Sequence, residues 1–156
     1  MKKTLVLGIG NDILTDDGIG PKLVNELKSR TTFTGIDFLN VFIGGLEIIE
    51  LIRGYEKVIF IDAIITKDGL PGTVYHFKPE DFKETLHLSN LHDANFLTAL
   101  DLGRKMEMNV PEDIHIIAIE IIEDRVFSEH LSPEIQMMFP GIFEKVLNLV
   151  NAIIKG

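Results

Sequence analysis

The chain has 156 residues, 46% of them hydrophobic, and a formal net charge of −9 at pH 7. Length and a mean hydropathy of +0.21 point to one globular domain, residues 1–156. The acidity argues against nucleic acid as a partner, and the lack of cysteine excludes disulfides, thiol catalysis and zinc–thiolate sites. Any metal must be held by Asp, Glu, His, backbone or water, or by ligands from another molecule.

The N-terminus, "MKKTLVLGIGND", starts like an export signal. Gly8 and Gly10 break its apolar run, which then meets Asn11 and Asp12, so it reads as a buried strand over Thr4–Leu7. The cytoplasm is the expected location. No apolar run reaches the roughly 20 residues of a spanning helix, so no membrane is expected.

Further along, Ile19, Leu23, Val24 and Leu27 form one stripe of a helix over 19–28, with Pro21 tolerated in its first turn. A weaker strand covers Ile36–Phe42, and "GLEIIELIR" (45–53) is a short amphipathic helix. "VIFI" (58–61) and "IHIIAI" (114–119) scarcely alternate, as strands covered on both faces do. Thr73–Phe77 is a further strand. Phe96, Ala99, Leu100 and Gly103 share a face of a helix over 90–106. The last helix, with Ile142, Phe143, Val146, Leu147, Val150, Ile153 and Ile154 on one side, is expected to open at Pro140.

Strands alternating with helices predict a three-layer α/β/α sandwich around a largely parallel, twisted sheet of about five strands. Ligands of such sheets lie outside the carboxyl ends of the strands. Loops 8–20 and 62–72 follow strands directly and should open there.

Loop 8–20 reads "GIGNDILTDDGIG". It fails the dinucleotide fingerprint, because Ile13 stands where a third small residue is needed. It fails the P-loop pattern for want of a following Lys-Ser/Thr. Asp12, Asp16 and Asp17 would also repel a pyrophosphate. A nucleotide-binding Rossmann-like domain is therefore the weaker alternative. Asp16 and Asp17 stand just before a helix, where a carboxylate either caps the helix or stays ionised to meet a cation.

Asp62 ends the strand "VIFI". A buried acid there needs a partner or a function. His92, four residues before Phe96, shares that helix's apolar face, and Ser89 or Asn90 could cap the helix. Two carboxylates and an imidazole can hold a first-row divalent ion with positions left open. No G-x-S-x-G elbow occurs, and "SEH" (128–130) reads as loop surface.

The blocks "LVLGIGNDILTDDGIGPKLVNEL", "GGLEIIELIRGYEKVIFIDAI", "SNLHDANFLTALDLG" and "AIEIIEDRVFSEHLSPEI" run in order over nearly the whole chain. Together they resemble the hydrogenase maturation endopeptidases, which trim the C-terminus of nickel–iron hydrogenase large subunits. The resemblance implies an aspartic-type peptidase acting on a large-subunit precursor. Its nickel would come with the substrate, and no organic cofactor is implied. The metal-contacting positions fall on Asp17, Asp62 and His92, with Asp62 or Asp16 as general base; His87 is a weaker ligand candidate. The family's Asp-Gly-Gly at the end of the second strand meets Asn40, Val41 and Phe42 here. A non-proteolytic nickel-site chaperone is the other alternative.

Overall fold

The computed structural model describes residues 3–42, 46–81, 85–88 and 96–156. Its centre is a sheet of β1 (Thr4–Ile9), β2 (Ile36–Val41), β3 (Lys57–Ile64), β4 (Val74–Phe77) and β5 (Asp113–Glu120), in the order β2-β1-β3-β5-β4. The first four in that order are parallel, and β4 runs antiparallel along β5.

β1, β3 and β5 carry near-continuous runs of buried residues because helices cover both sheet faces. Val6, Ile59, Ile61, Ile117 and Ile119 face α1 (Ile19–Arg30) and α4 (Pro133–Lys155). Leu5, Leu7, Val58, Phe60, Ile114 and Ile116 face α2 (Leu46–Ile52) and α3 (Phe96–Lys105). The register sets Leu5 beside Val58 and Leu7 beside Phe60, so like faces stay aligned across the sheet. The three layers and the stripes expected of α1 and α3 are all present.

The last helix differs from expectation at its start. It begins at Pro133, not Pro140, which lies inside it. Ser132 precedes Pro133, a proline favoured at the first helical position, and Glu134 suits the positive helix end. An interior proline removes one backbone hydrogen bond, and burial of Ile142, Phe143, Val146, Val150 and Ile153 holds the helix across that gap. Starting at Pro133 also makes α4 long and apolar enough to span a bilayer, contrary to the expectation that no segment would be. Here its apolar stripe is part of the core.

One close approach positions the site. A Cβ on Gly20, in the first turn of α1, would lie 2.5 Å from Ile61 O and 2.8 Å from Ile9 O. Glycine there lets the start of α1 rest on the carboxyl ends of β1 and β3. The loop before it is thereby brought to the end of β3.

Candidate active site

The carboxyl ends of β1 and β3 share one edge of the sheet, because the two strands are parallel neighbours. Asp62 is fully buried near the end of β3. Its Oδ1 accepts the Ala63 N–H at 2.8 Å, and its Oδ2 accepts the His87 N–H at 2.9 Å. Leu86 N–H also bonds Ala63 O at 3.0 Å, so residues 86–87 are laced to the strand end.

Asp17 sits in a turn of 3-10 helix, Thr15–Gly18, that leads into α1. Its Oδ2 accepts the Asn11 N–H at 2.7 Å. Neither Asp16 nor Asp17 caps α1: the capping position is Gly18, with no side-chain hydrogen bond to the helix. That removes the capping alternative for both acids. Gly10 allows the tight return, since it has φ +153° and a Cβ there would lie 2.1 Å from Asp17 O.

The imidazole of His87 bridges the two acids. Nδ1 lies 2.6 Å from Asp62 Oδ1 and Nε2 lies 3.1 Å from Asp17 Oδ1. Burial opposes protonation of this ring, but hydrogen bonds to Asp17 and Asp62 and their negative charges outweigh it. The pKa is pushed up to about 10. The ring therefore carries a proton between two carboxylates at neutral pH. Phe42, just past β2, packs edge-on to it at 5.8 Å between centroids and is itself exposed on its other side.

Asp16 has different partners. It is fully buried, and its oxygens accept hydrogen bonds from Ser132 N (2.7 Å), Ser132 Oγ (2.7 Å), Glu123 N (3.0 Å) and Ile122 N (3.3 Å). Those bonds tie the connection 121–132 to the glycine-rich loop and fill the lone pairs that a general base would need. Asn40 bonds Asn25 of α1 at 2.8 Å on the surface. Ser128 Oγ accepts the His130 backbone N–H, so this pair forms no nucleophile–base couple.

Of the residues singled out in the sequence, the structure brings Asp17 and Asp62 to one imidazole, that of His87. His92 lies outside the described residues, as do the cap candidates Ser89 and Asn90. Phe42, which the sequence marked only as a departure from the family's Asp-Gly-Gly, reaches His87 across 45 positions of chain. Among the described residues no cluster of three His, Asp or Glu side chains stands open for a metal. The donors present are an imidazole and two carboxylates joined through a proton. A divalent ion fits such a set only by displacing that proton, with Asp62 holding Nδ1 and leaving Nε2 and Asp17 to face the ion.

The profile of the hydrogenase maturation protease family matches residues 21–149. The chain is 27% identical to the hydrogenase 2 maturation protease of Escherichia coli K12, over 93% of this chain and 88% of that protein. It superimposes on the hydrogenase maturating endopeptidase HybD from E. coli with a TM-score of 0.76, at 24% identity, covering 96% of this chain and 93% of that one. The NiFe hydrogenase maturation protease HybD from Thermococcus kodakarensis gives 0.67 at 27% identity, covering 94% and 98%. With the profile spanning most of its length and the fold shared throughout, this chain belongs to the hydrogenase maturation protease family.

Proposed function

We propose that the protein is an endopeptidase that removes the C-terminal extension from the nickel-loaded precursor of a nickel–iron hydrogenase large subunit. Membership of the family supports the reaction class. The observation that carries the reading is the pair of buried carboxylates, Asp17 and Asp62, closing on one imidazole at the carboxyl edge of the sheet.

In this proposal the nickel belongs to the substrate. A cysteine-free set of oxygen and nitrogen donors is a weak nickel site alone, and becomes adequate when the precursor supplies the ion and further ligands. His87 Nε2 and Asp17 meet that ion once the shared proton leaves, while Asp62 fixes the ring. We assign the imidazole role to His87 rather than His92, because both acids hold it. Asp17 takes the proton of the attacking water, since Asp62, like Asp16, has both oxygens occupied. Asp16, with its oxygens occupied, serves the fold instead. Requiring a loaded nickel would restrict cleavage to finished substrate. The proposal includes a cytoplasmic site of action and no organic cofactor.

Mass spectrometry of the precursor's carboxyl terminus, with and without nickel, tests the reading. Shortening of only the loaded precursor is expected. A precursor that is bound but never shortened would favour a chaperone. Adenine-nucleotide binding in calorimetry, without any shortening, would favour the nucleotide alternative.

A further inference from the structure

The connection between β5 and α4, residues 121–132, is held unusually well for a chain segment with no regular structure. Asp16 takes four hydrogen bonds from it. In addition, Asp16 N–H bonds Glu123 O (2.9 Å), Thr15 N–H bonds Ser128 O (3.0 Å) and Ser128 N–H bonds Ile13 O (2.9 Å). Thr15 Oγ1 donates to Val126 O. Glu123 Oε2 turns back to accept Arg125 N–H and Val126 N–H.

Ile121 and Leu131 anchor this backbone in the core, while Ile122, Val126 and Phe127 point outward. Phe127 is 79% exposed and Val126 55%, and Ile122 is exposed with them. Ile13, on the loop to which the strap is stitched, is exposed as well. A single exposed apolar side chain is ordinary, but several on two hydrogen-bonded loops form a patch of the kind that meets a partner. An aromatic side chain on an ordered backbone loses little entropy on binding. Next to them in sequence stand Asp12, Glu123, Asp124 and Glu129, with Arg125 the one basic residue of 122–129. The same glycine-rich loop carries Asp17, four positions after Ile13.

We infer that the strap 122–129, with Ile13, is the docking surface for a segment of the hydrogenase precursor that carries apolar side chains next to Lys or Arg. This rests on the proposed protease function and names where that substrate is gripped. Apolar contact supplies the affinity, and the acidic surround selects a basic neighbour and speeds encounter. Asp16 is a positioning residue in this scheme: it holds the surface in register with Asp17.

The test uses the full-length protein and nickel-loaded precursor. A photo-reactive benzoylphenylalanine at position 127 should cross-link to the precursor, at a stretch with apolar and basic residues. Phe127→Ser with Val126→Ser should raise KM for the precursor about tenfold while leaving kcat and the melting temperature unchanged. Asp124→Lys with Glu129→Lys should raise KM further and abolish its increase with salt. Cross-linking only to a second copy, or unchanged KM in all variants, overturns the inference. The docking surface and the protease function fail separately. Cross-linking without cleavage would keep the surface and reject the protease, whereas cleavage without cross-linking would do the reverse.

Discussion

His87 Nδ1 stands 2.6 Å from Asp62 Oδ1, and the same aspartate accepts the His87 backbone N–H at 2.9 Å. Asp62 thus fixes both the main chain and the ring of one histidine. That leaves Nε2 directed at Asp17. His92 lies outside the described residues, so variants of the two histidines test the assignment. His87→Gln should lower processing of nickel-loaded precursor at least about a hundredfold, the upper range seen when a metal-binding shell is disturbed. Circular dichroism should show that variant folded. His92→Ala should process normally. The opposite pattern, read by mass spectrometry of the substrate, would transfer the role to His92.

The bridge also sets a pH dependence. The folded-state pKa of His87 is about 10, above the ordinary value of 6.5. A raised pKa contributes stability that is fully present below the unfolded value and is lost as pH rises through the folded one. The stability advantage of the wild type over His87→Gln should therefore shrink steadily between pH 6.5 and 10. Urea unfolding at a series of pH values measures it. An advantage that grows with pH would mean the ring is held neutral.

Asp16→Asn keeps the volume but replaces one acceptor oxygen by an amide donor, which then faces either Ser132 N–H or the Glu123 and Ile122 N–H groups. Leaving such groups unpaired costs about 1–3 kcal/mol. The urea midpoint should fall accordingly. Ser132→Ala removes a single hydroxyl bond and should lose about 1 kcal/mol. Equal losses from both would mean that the charge on Asp16 contributes nothing.

Gly20→Ala forces a methyl against Ile61 O and Ile9 O. Overpacking against backbone costs about 1–3 kcal/mol, and here α1 must retreat from the strand ends. Processing should fall along with stability, because Asp17 rides on the turn before α1. Gly141→Ala is the control. A Cβ there meets nothing within 4 Å, and alanine is favoured over glycine inside a helix by about 0.5–1 kcal/mol, so that variant should melt slightly above the wild type and process normally.

The layers were legible because burial imposes a period. "VIFI" and "IHIIAI" had to be covered on both faces, and the stripe of Phe96, Ala99, Leu100 and Gly103 had to turn inward. The start of α4 was misread because Pro140 is the more visible break, whereas the local preference of Ser132–Pro133–Glu134 and the buried stripe beyond decide the helix. Asp16 and Asp17 looked alike as neighbours in a loop. A turn of 3-10 helix sends one to the strap at Ser132 and the other to His87.

The sequence by itself determined a cysteine-free α/β sheet with acids at the ends of its first and third strands, because hydrophobic period and residue chemistry are local properties. Only the tertiary structure showed that those acids hold His87. His87 is 25 positions from Asp62 and 70 from Asp17, and the sequence offered it only as the weaker ligand candidate. It becomes the bridge because parallel pairing of β1 with β3 brings two carboxylates to one edge. Burial there leaves each of them in need of a hydrogen-bond donor.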